Sequence, residues 1–198
     1  MHKNMPTNLQ THNLGFPRIG AKRELKRALE SFWSTKTSET QLLETAKAIR
    51  VENWQRQRAA GINLIPSNDF SLYDQMLDMC ALLGAVPERF HWNGGHIDLA
   101  TYFTMARGVG GQGDDCGSCG APVVALEMTK WFDTNYHYLV PELQAGQTFQ
   151  LSSTKPFDEF AEALALGIRT VPVLIGPITF LLLGKVRGHN SEAFDRLA

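Results

Sequence analysis

Three cysteines in 198 residues, Cys80, Cys116 and Cys119, are too few and too unevenly spaced for a disulfide framework, which points to a reducing compartment. Long apolar runs are lacking as well. None approaches the roughly 20 residues needed to cross a bilayer, and the opening MHKNMPTNLQTHN has no apolar stretch of a secretory signal. Both absences favour the cytoplasm over a membrane. Net charge is also scarce, since 19 basic and 20 acidic side chains cancel to −1. No global field would gather nucleic acid or an anionic membrane, so any anion site must be local.

What is present is a globular composition, 43% hydrophobic and 20% charged, with length for about one domain. Residues 1–12 read as a polar, flexible lead-in. A short strand is expected around Asn13–Phe16, and Leu25, Leu29 and Phe32 then mark one face of a helix from about Ala21 to Trp33. Ser38 and Gln41 fit a capping box for a second helix through Leu42, Ala46 and Ile49 to about Ala60, stopped by Gly61. The run INLIP reads as a buried strand. Ser67, Asn68 and Asp69 offer caps for a helix whose Leu72, Met76, Met79 and Leu83 face the core until Gly84, and Asp98 offers one for a short helix through Tyr102 and Phe103. A glycine-rich loop spans 107–122. Beyond it, TFQLS reads as a strand, Thr154 and Pro156 open a helix with Phe157, Phe160 and Leu164 inward, VPVLIG as a strand, and ITFLLLG as a buried helix. Alternating strands and helices predict parallel strands and an α/β fold. Periodicity alone does not separate a (β/α)8 barrel from an open doubly wound sheet, though both place binding groups at the carboxyl ends of strands.

Two segments concentrate chemistry. In GFPRIGAKRELKRA, Gly15 to Ala28, the cations Arg18, Lys22, Arg23, Lys26 and Arg27 face only Glu24. A glycine turn before a helix start presents backbone N–H groups and the positive end of the helix dipole, which suits carboxylates or phosphates. The alternative is the solvated face of an amphipathic helix, and composition by itself favours that reading. In EMTKWFDTNYHY, Glu127 to Tyr138, seven polar or ionisable side chains alternate with aromatic ones. Trp131, Phe132, Tyr136 and Tyr138 could wall a flat ring while Lys130, Asp133, Asn135 and His137 direct it; a half-buried strand with satisfied polar groups is an equal account.

Read in order, GFPRIG with RELK, EMTKWFDTNYHY and PVLIGPITFLLLGKV resemble the amino-terminal portion of cobalamin-independent methionine synthase, from about Asn13 to the end of the chain. That family folds as two facing (β/α)8 barrels and transfers a methyl group from 5-methyltetrahydropteroyltriglutamate to homocysteine. The resemblance implies an incomplete (β/α)8 TIM-barrel-type part of the amino-terminal barrel over residues 13–198. It implies that Arg23, Glu24, Leu25, Lys26 and Lys130 bind the folate substrate, with Lys22 and Arg18 added on charge and proximity. It further implies a zinc cofactor and no cobalamin, with the zinc ligands, the homocysteine groups and the catalytic residues in a carboxyl-terminal barrel that this chain lacks. On that basis the chain alone is expected to be inactive. A stand-alone folate-binding module and a truncated remnant are the competing expectations.

The pair Cys116 and Cys119, in CGSC, invites a zinc or dithiol reading. No second C-x-x-C or suitably spaced Cys/His pair completes four ligands, so the pair is read as local to its loop, and Cys80, on a helical face, as core.

Overall fold

The computed structural model describes residues 10–110 and 122–186, so Cys116 and Cys119 lie outside the described residues. The chain divides into two compact units, one of residues up to Phe70 with Pro156–Val173, the other of Ser71–Lys155 with the segment from Leu174 onward. No described helix is long and apolar enough to cross a membrane.

The first unit holds helices α1 (Glu24–Trp33) and α2 (Glu39–Ala59), strand β1 (Ile65–Ser67), most of α5 (Lys155–Ala165) and strand β5 (Thr170–Pro172). The capping box forms as read: Ser38 Oγ accepts the Gln41 N–H at 3.3 Å and Gln41 Oε1 accepts the Ser38 N–H at 2.9 Å. Leu42, Ala46 and Ile49 are buried, and Gly61 at φ +80 ends the helix region. β1 and β5 pair in parallel, Ile65 opposite Thr170, and Trp54, Ile65, Ala163 and Ile168 form a core beside them. The strand expected at 13–16 is absent. Among the described residues upstream of β1 there is one parallel bridge, between His12 and Leu64.

The inward face of α5 also differs from expectation. Phe157 and Leu164 are 60% and 51% exposed, whereas Pro156, Glu159 and Ala163 are buried. The buried side of α5 is the one that carries its paired acids. Glu162 pairs with Arg50 of α2 at 2.7 Å, and Glu159 accepts the Asn68 N–H at 2.9 Å with Arg50 at 3.9 Å. Desolvating these charges is tolerable because each is paired or hydrogen-bonded.

The second unit holds α3 (Gln75–Leu83), α4 (Leu99–Arg107), β2 (Met128–Lys130), β3 (His137–Leu139), β4 (Glu142–Leu143), α6 (Pro177–Leu182) and β6 (Lys185–Val186). Asp98 caps α4 through the Thr101 N–H at 2.7 Å, as its position predicts. The cap of α3 is Asp74 rather than residues 67–69, and Leu72 precedes the helix. Met76, Cys80, Ala85, Tyr138, Val140, Leu143, Phe180 and Val186 form the core, with α6 contributing Phe180.

β4 and β6 are parallel, but β2 and β3 are antiparallel, Lys130 opposite His137, which departs from the all-parallel expectation. The six residues between them are too few for a crossover and suffice for a hairpin. TFQLS forms no strand. Its Gln150 and Ser152 N–H groups instead bond the Leu83 and Leu82 carbonyls at the end of α3. The described residues thus make a mixed α/β structure with two parallel strand pairs, one hairpin and no closed barrel.

Candidate functional site

In the first unit, the basic segment runs over a turn into α1. Asp69 Oδ2 accepts the Phe16 N–H at 2.8 Å and Asn53 Nδ2 donates to the Pro17 carbonyl at 3.2 Å, which pins the approach to the turn. The turn then closes on itself. The Arg23 N–H reaches the Gly20 carbonyl at 3.1 Å, the Leu25 N–H reaches that of Ile19 at 3.2 Å, and the Lys22 N–H reaches Glu24 Oε2 at 2.9 Å.

Sequence reasoning expected those amides to be open to an anion. The structure supplies the anion internally: Glu24 occupies the donor-rich position, and bonds from its own N–H and that of Lys22, aided by the Arg27 and Lys22 charges, hold its carboxyl below the usual range. Attraction for an external carboxylate therefore rests on exposed side chains. Lys22, Arg23 and Lys26 are all exposed, and Lys26 meets Glu30 at 3.6 Å across one helical turn, an exposed contact worth at most about 0.5 kcal/mol. Leu25 is fully buried, so its side chain anchors the segment to the core instead of facing outward. Between α1 and α2 lies an open groove of about 290 Å³ whose lining includes Glu24, Arg27, Thr37 and Gln41.

Two backbone features make the turn. Arg23, at the helix cap, has φ 62, and Gly20 has φ +82 with Glu24 Oε2 only 2.2 Å from where a Cβ would stand. Gly20→Ala is expected to cost about 1–2 kcal/mol from the left-handed backbone, the flexible Glu24 side chain yielding to the methyl. Denaturant unfolding would check the cost, and restoration of a normal Glu24 titration by NMR would check the displaced carboxylate.

In the second unit, the aromatic–polar segment is the β2–β3 hairpin. The Trp131 N–H donates to the Tyr136 carbonyl at 2.7 Å, and Thr134 returns both its N–H, at 3.2 Å, and its hydroxyl, at 2.6 Å, to the Trp131 carbonyl. The aromatic residues divide, and the half-buried strand account fits Tyr138 and Trp131. Tyr138 is buried and donates its hydroxyl to the Leu183 carbonyl at 3.2 Å, and Trp131 packs on the core, whereas Phe132 and Tyr136 are exposed. Lys130, Asp133, Asn135 and His137 are exposed, and His137 Nδ1 lies 3.1 Å from the Asn135 carbonyl oxygen.

Behind the hairpin is a buried acid that the sequence reading passed over. Asp74 accepts N–H groups from Met76 at 2.7 Å, Leu77 at 3.0 Å and Leu139 at 3.2 Å, joining the start of α3 to β3. Burial outweighs those bonds and raises its carboxyl to about 6. One turn on, Asp78 accepts the Ser71 hydroxyl at 2.7 Å and the Tyr102 hydroxyl at 2.6 Å and pairs with Lys155 at 3.3 Å. The sequence signal was the Tyr73-Asp74-Gln75 start, obscured by extending the helical period back to Leu72.

No group of three His, Cys, Asp or Glu side chains among the described residues could hold a metal ion. The zinc implied by the resemblance therefore finds no fit in them.

The described residues are thus mixed α/β, with exposed basic side chains at the turn before α1 and on the β2–β3 hairpin. Residues 10–198 match the model of the "Cobalamin-independent synthase, N-terminal domain" family, and the chain belongs to that family. It is 57% identical over 193 residues to a protein of Caulobacter vibrioides, 55% over 185 residues to one of Salinibacter ruber and 56% over 197 residues to one of Bradyrhizobium diazoefficiens. Each is named 5-methyltetrahydropteroyltriglutamate--homocysteine methyltransferase. These alignments cover 93%, 93% and 98% of this chain but 25%, 24% and 25% of the relatives, so the chain spans about a quarter of their length.

Proposed function

We propose that the chain is the amino-terminal part of a methyltransferase that moves the methyl group of 5-methyltetrahydropteroyltriglutamate to homocysteine, forming methionine, and that its contribution is to bind the folate polyglutamate tail. The names of the relatives support the reaction. The observation that carries the binding role is the exposure of Lys22, Arg23 and Lys26 on a turn whose own carboxylate, Glu24, already satisfies the local backbone donors. Their backbone is already fixed by the turn, so only side-chain order is lost on meeting a carboxylate, which arginine takes as a flat fork and lysine as a point charge.

Lys130 offers the same chemistry at the turn end of the hairpin, with its backbone fixed by pairing with His137. The two segments are proposed individually as tail contacts. Zinc and its ligands belong, on this reading, to the remainder of the enzyme, as do the homocysteine groups, and the domain is of (β/α)8-barrel type completed by further chain.

Titration of the chain with the tri- and monoglutamate forms of 5-methyltetrahydrofolate tests the role. Arg23→Ala and Lys130→Ala should each weaken the triglutamate by about 1–3 kcal/mol, the scale of a charged hydrogen bond, and the monoglutamate by less. Added salt should imitate the substitutions by screening the same attraction. Equal losses for both tail lengths, or indifference to salt, would return these cations to the role of a solvated surface.

A further inference from the structure

Phe132 combines two features that oppose stability. Its backbone sits at φ 49, a conformation that a bulky L-residue adopts only under constraint, and its side chain is 65% exposed. The ring nonetheless has an aromatic neighbour. It lies perpendicular to Trp131, interplanar angle 89° and centroids 5.3 Å apart, and Trp131 stands at 86° and 5.6 Å to Tyr138. Because Tyr138 is buried and hydrogen-bonded to the Leu183 carbonyl, a file of three rings runs from the core to the exposed tip of the hairpin.

An exposed aromatic ring already packed edge-on against a second ring suits contact with another flat ring, which would cover its apolar surface. Lys130, two residues earlier, is exposed on the same hairpin. In a pteroylpolyglutamate the first glutamate is joined by an amide to an aromatic aminobenzoyl ring. A site that takes the carboxylate of that first glutamate on Lys130 therefore lies next to the ring.

We infer that Phe132 is the ring-binding platform of the hairpin, packing against the aminobenzoyl group of the folate while Lys130 takes the charge of the tail. This rests on the folate reading above. It adds a residue and assigns it a portion of the ligand.

The experiment titrates the chain and its variants with p-aminobenzoyl-triglutamate, with 5-methyltetrahydropteroyltriglutamate and with γ-linked triglutamate lacking any ring. Phe132→Leu, which keeps an apolar side chain without a flat ring, should weaken both ring-bearing ligands about tenfold and leave ring-free triglutamate unchanged. Phe132→Tyr should bind all three as the parent does. Phe132→Gly, which relieves the left-handed backbone, should lose ring affinity with no fall in unfolding temperature, whereas a merely structural side chain would lose both together. Parent-like binding of the ring-bearing ligands by Phe132→Leu and Phe132→Gly would overturn the inference while leaving the folate reading intact. Failure of the parent chain to bind any of the three ligands would overturn the folate reading and this inference with it.

Discussion

Gly84→Ala is expected to destabilise the protein by about 2–4 kcal/mol, the left-handed backbone supplying about 1–2 of that and crowding the rest. Gly84 ends α3 at φ +64, and a Cβ there would stand 2.8 Å from Ser152 Oγ and 2.9 Å from Trp92 Cη2. Ser152 is buried, and the Trp92 atom is the rim of a rigid ring, so neither yields as a flexible chain end would. Gly61→Ala is the control. It has φ +80 but nothing within 4 Å of the would-be Cβ, and should cost only the backbone share, about 1–2 kcal/mol. Denaturant unfolding of both variants measures the difference. Equal costs would show that the crowding at Gly84 relaxes freely.

Those two glycines also show which parts of the fold were legible. Helix ends are written in local chemistry, so the capping box of Ser38 and Gln41, the cap of Asp98 and the stops at Gly61 and Gly84 could be read directly. Strands were harder. TFQLS has the alternation and propensity of a strand, but its amides are taken by the carbonyl end of α3, a partner 67 residues away for Gln150 that no local pattern encodes. The facing of α5 failed for a related reason. Its apolar stripe pointed to Phe157, Phe160 and Leu164, whereas the buried side carries Glu162, whose partner Arg50 is distant in sequence.

The candidate site was legible in composition and not in arrangement. A run of cations is visible in any sequence, but only the geometry shows Glu24 consuming the local donors and Leu25 facing inward. In EMTKWFDTNYHY the aromatic residues look equivalent on paper. The hairpin separates them because Trp131 and Tyr138 reach the core of Met76, Cys80 and Phe180, whereas Phe132 and Tyr136 remain at its exposed end. Reaching that division from sequence would have required recognising an antiparallel turn inside a pattern that otherwise suggested parallel strands.

Asp74 gives the fold a pH dependence opposite to that of an ordinary salt-bridged carboxylate. Its three N–H bonds favour the anion, but burial and the nearby charge of Asp78 oppose it, and burial prevails, moving the carboxyl from 3.8 to about 6. The folded state therefore holds its proton more tightly than the unfolded state does. The stabilisation linked to that proton is fully present below about pH 3.8 and is lost as pH rises through about 6. The gap corresponds to roughly 3 kcal/mol, to order of magnitude. Asp74→Asn removes the titration while its amide oxygen can still accept the Met76 and Leu77 N–H groups, so other carboxylates cancel in the comparison. Urea unfolding of parent and variant at intervals from pH 4 to pH 7 should show the variant gaining on the parent by up to about 3 kcal/mol as pH rises. Asp74→Ala should instead lose the helix cap and the Leu139 contact at every pH, a cost of about 2–3 kcal/mol. A parent-to-Asn difference that stays constant across that range would mean that the Asp74 carboxyl titrates at or below its ordinary value, the three N–H bonds offsetting burial.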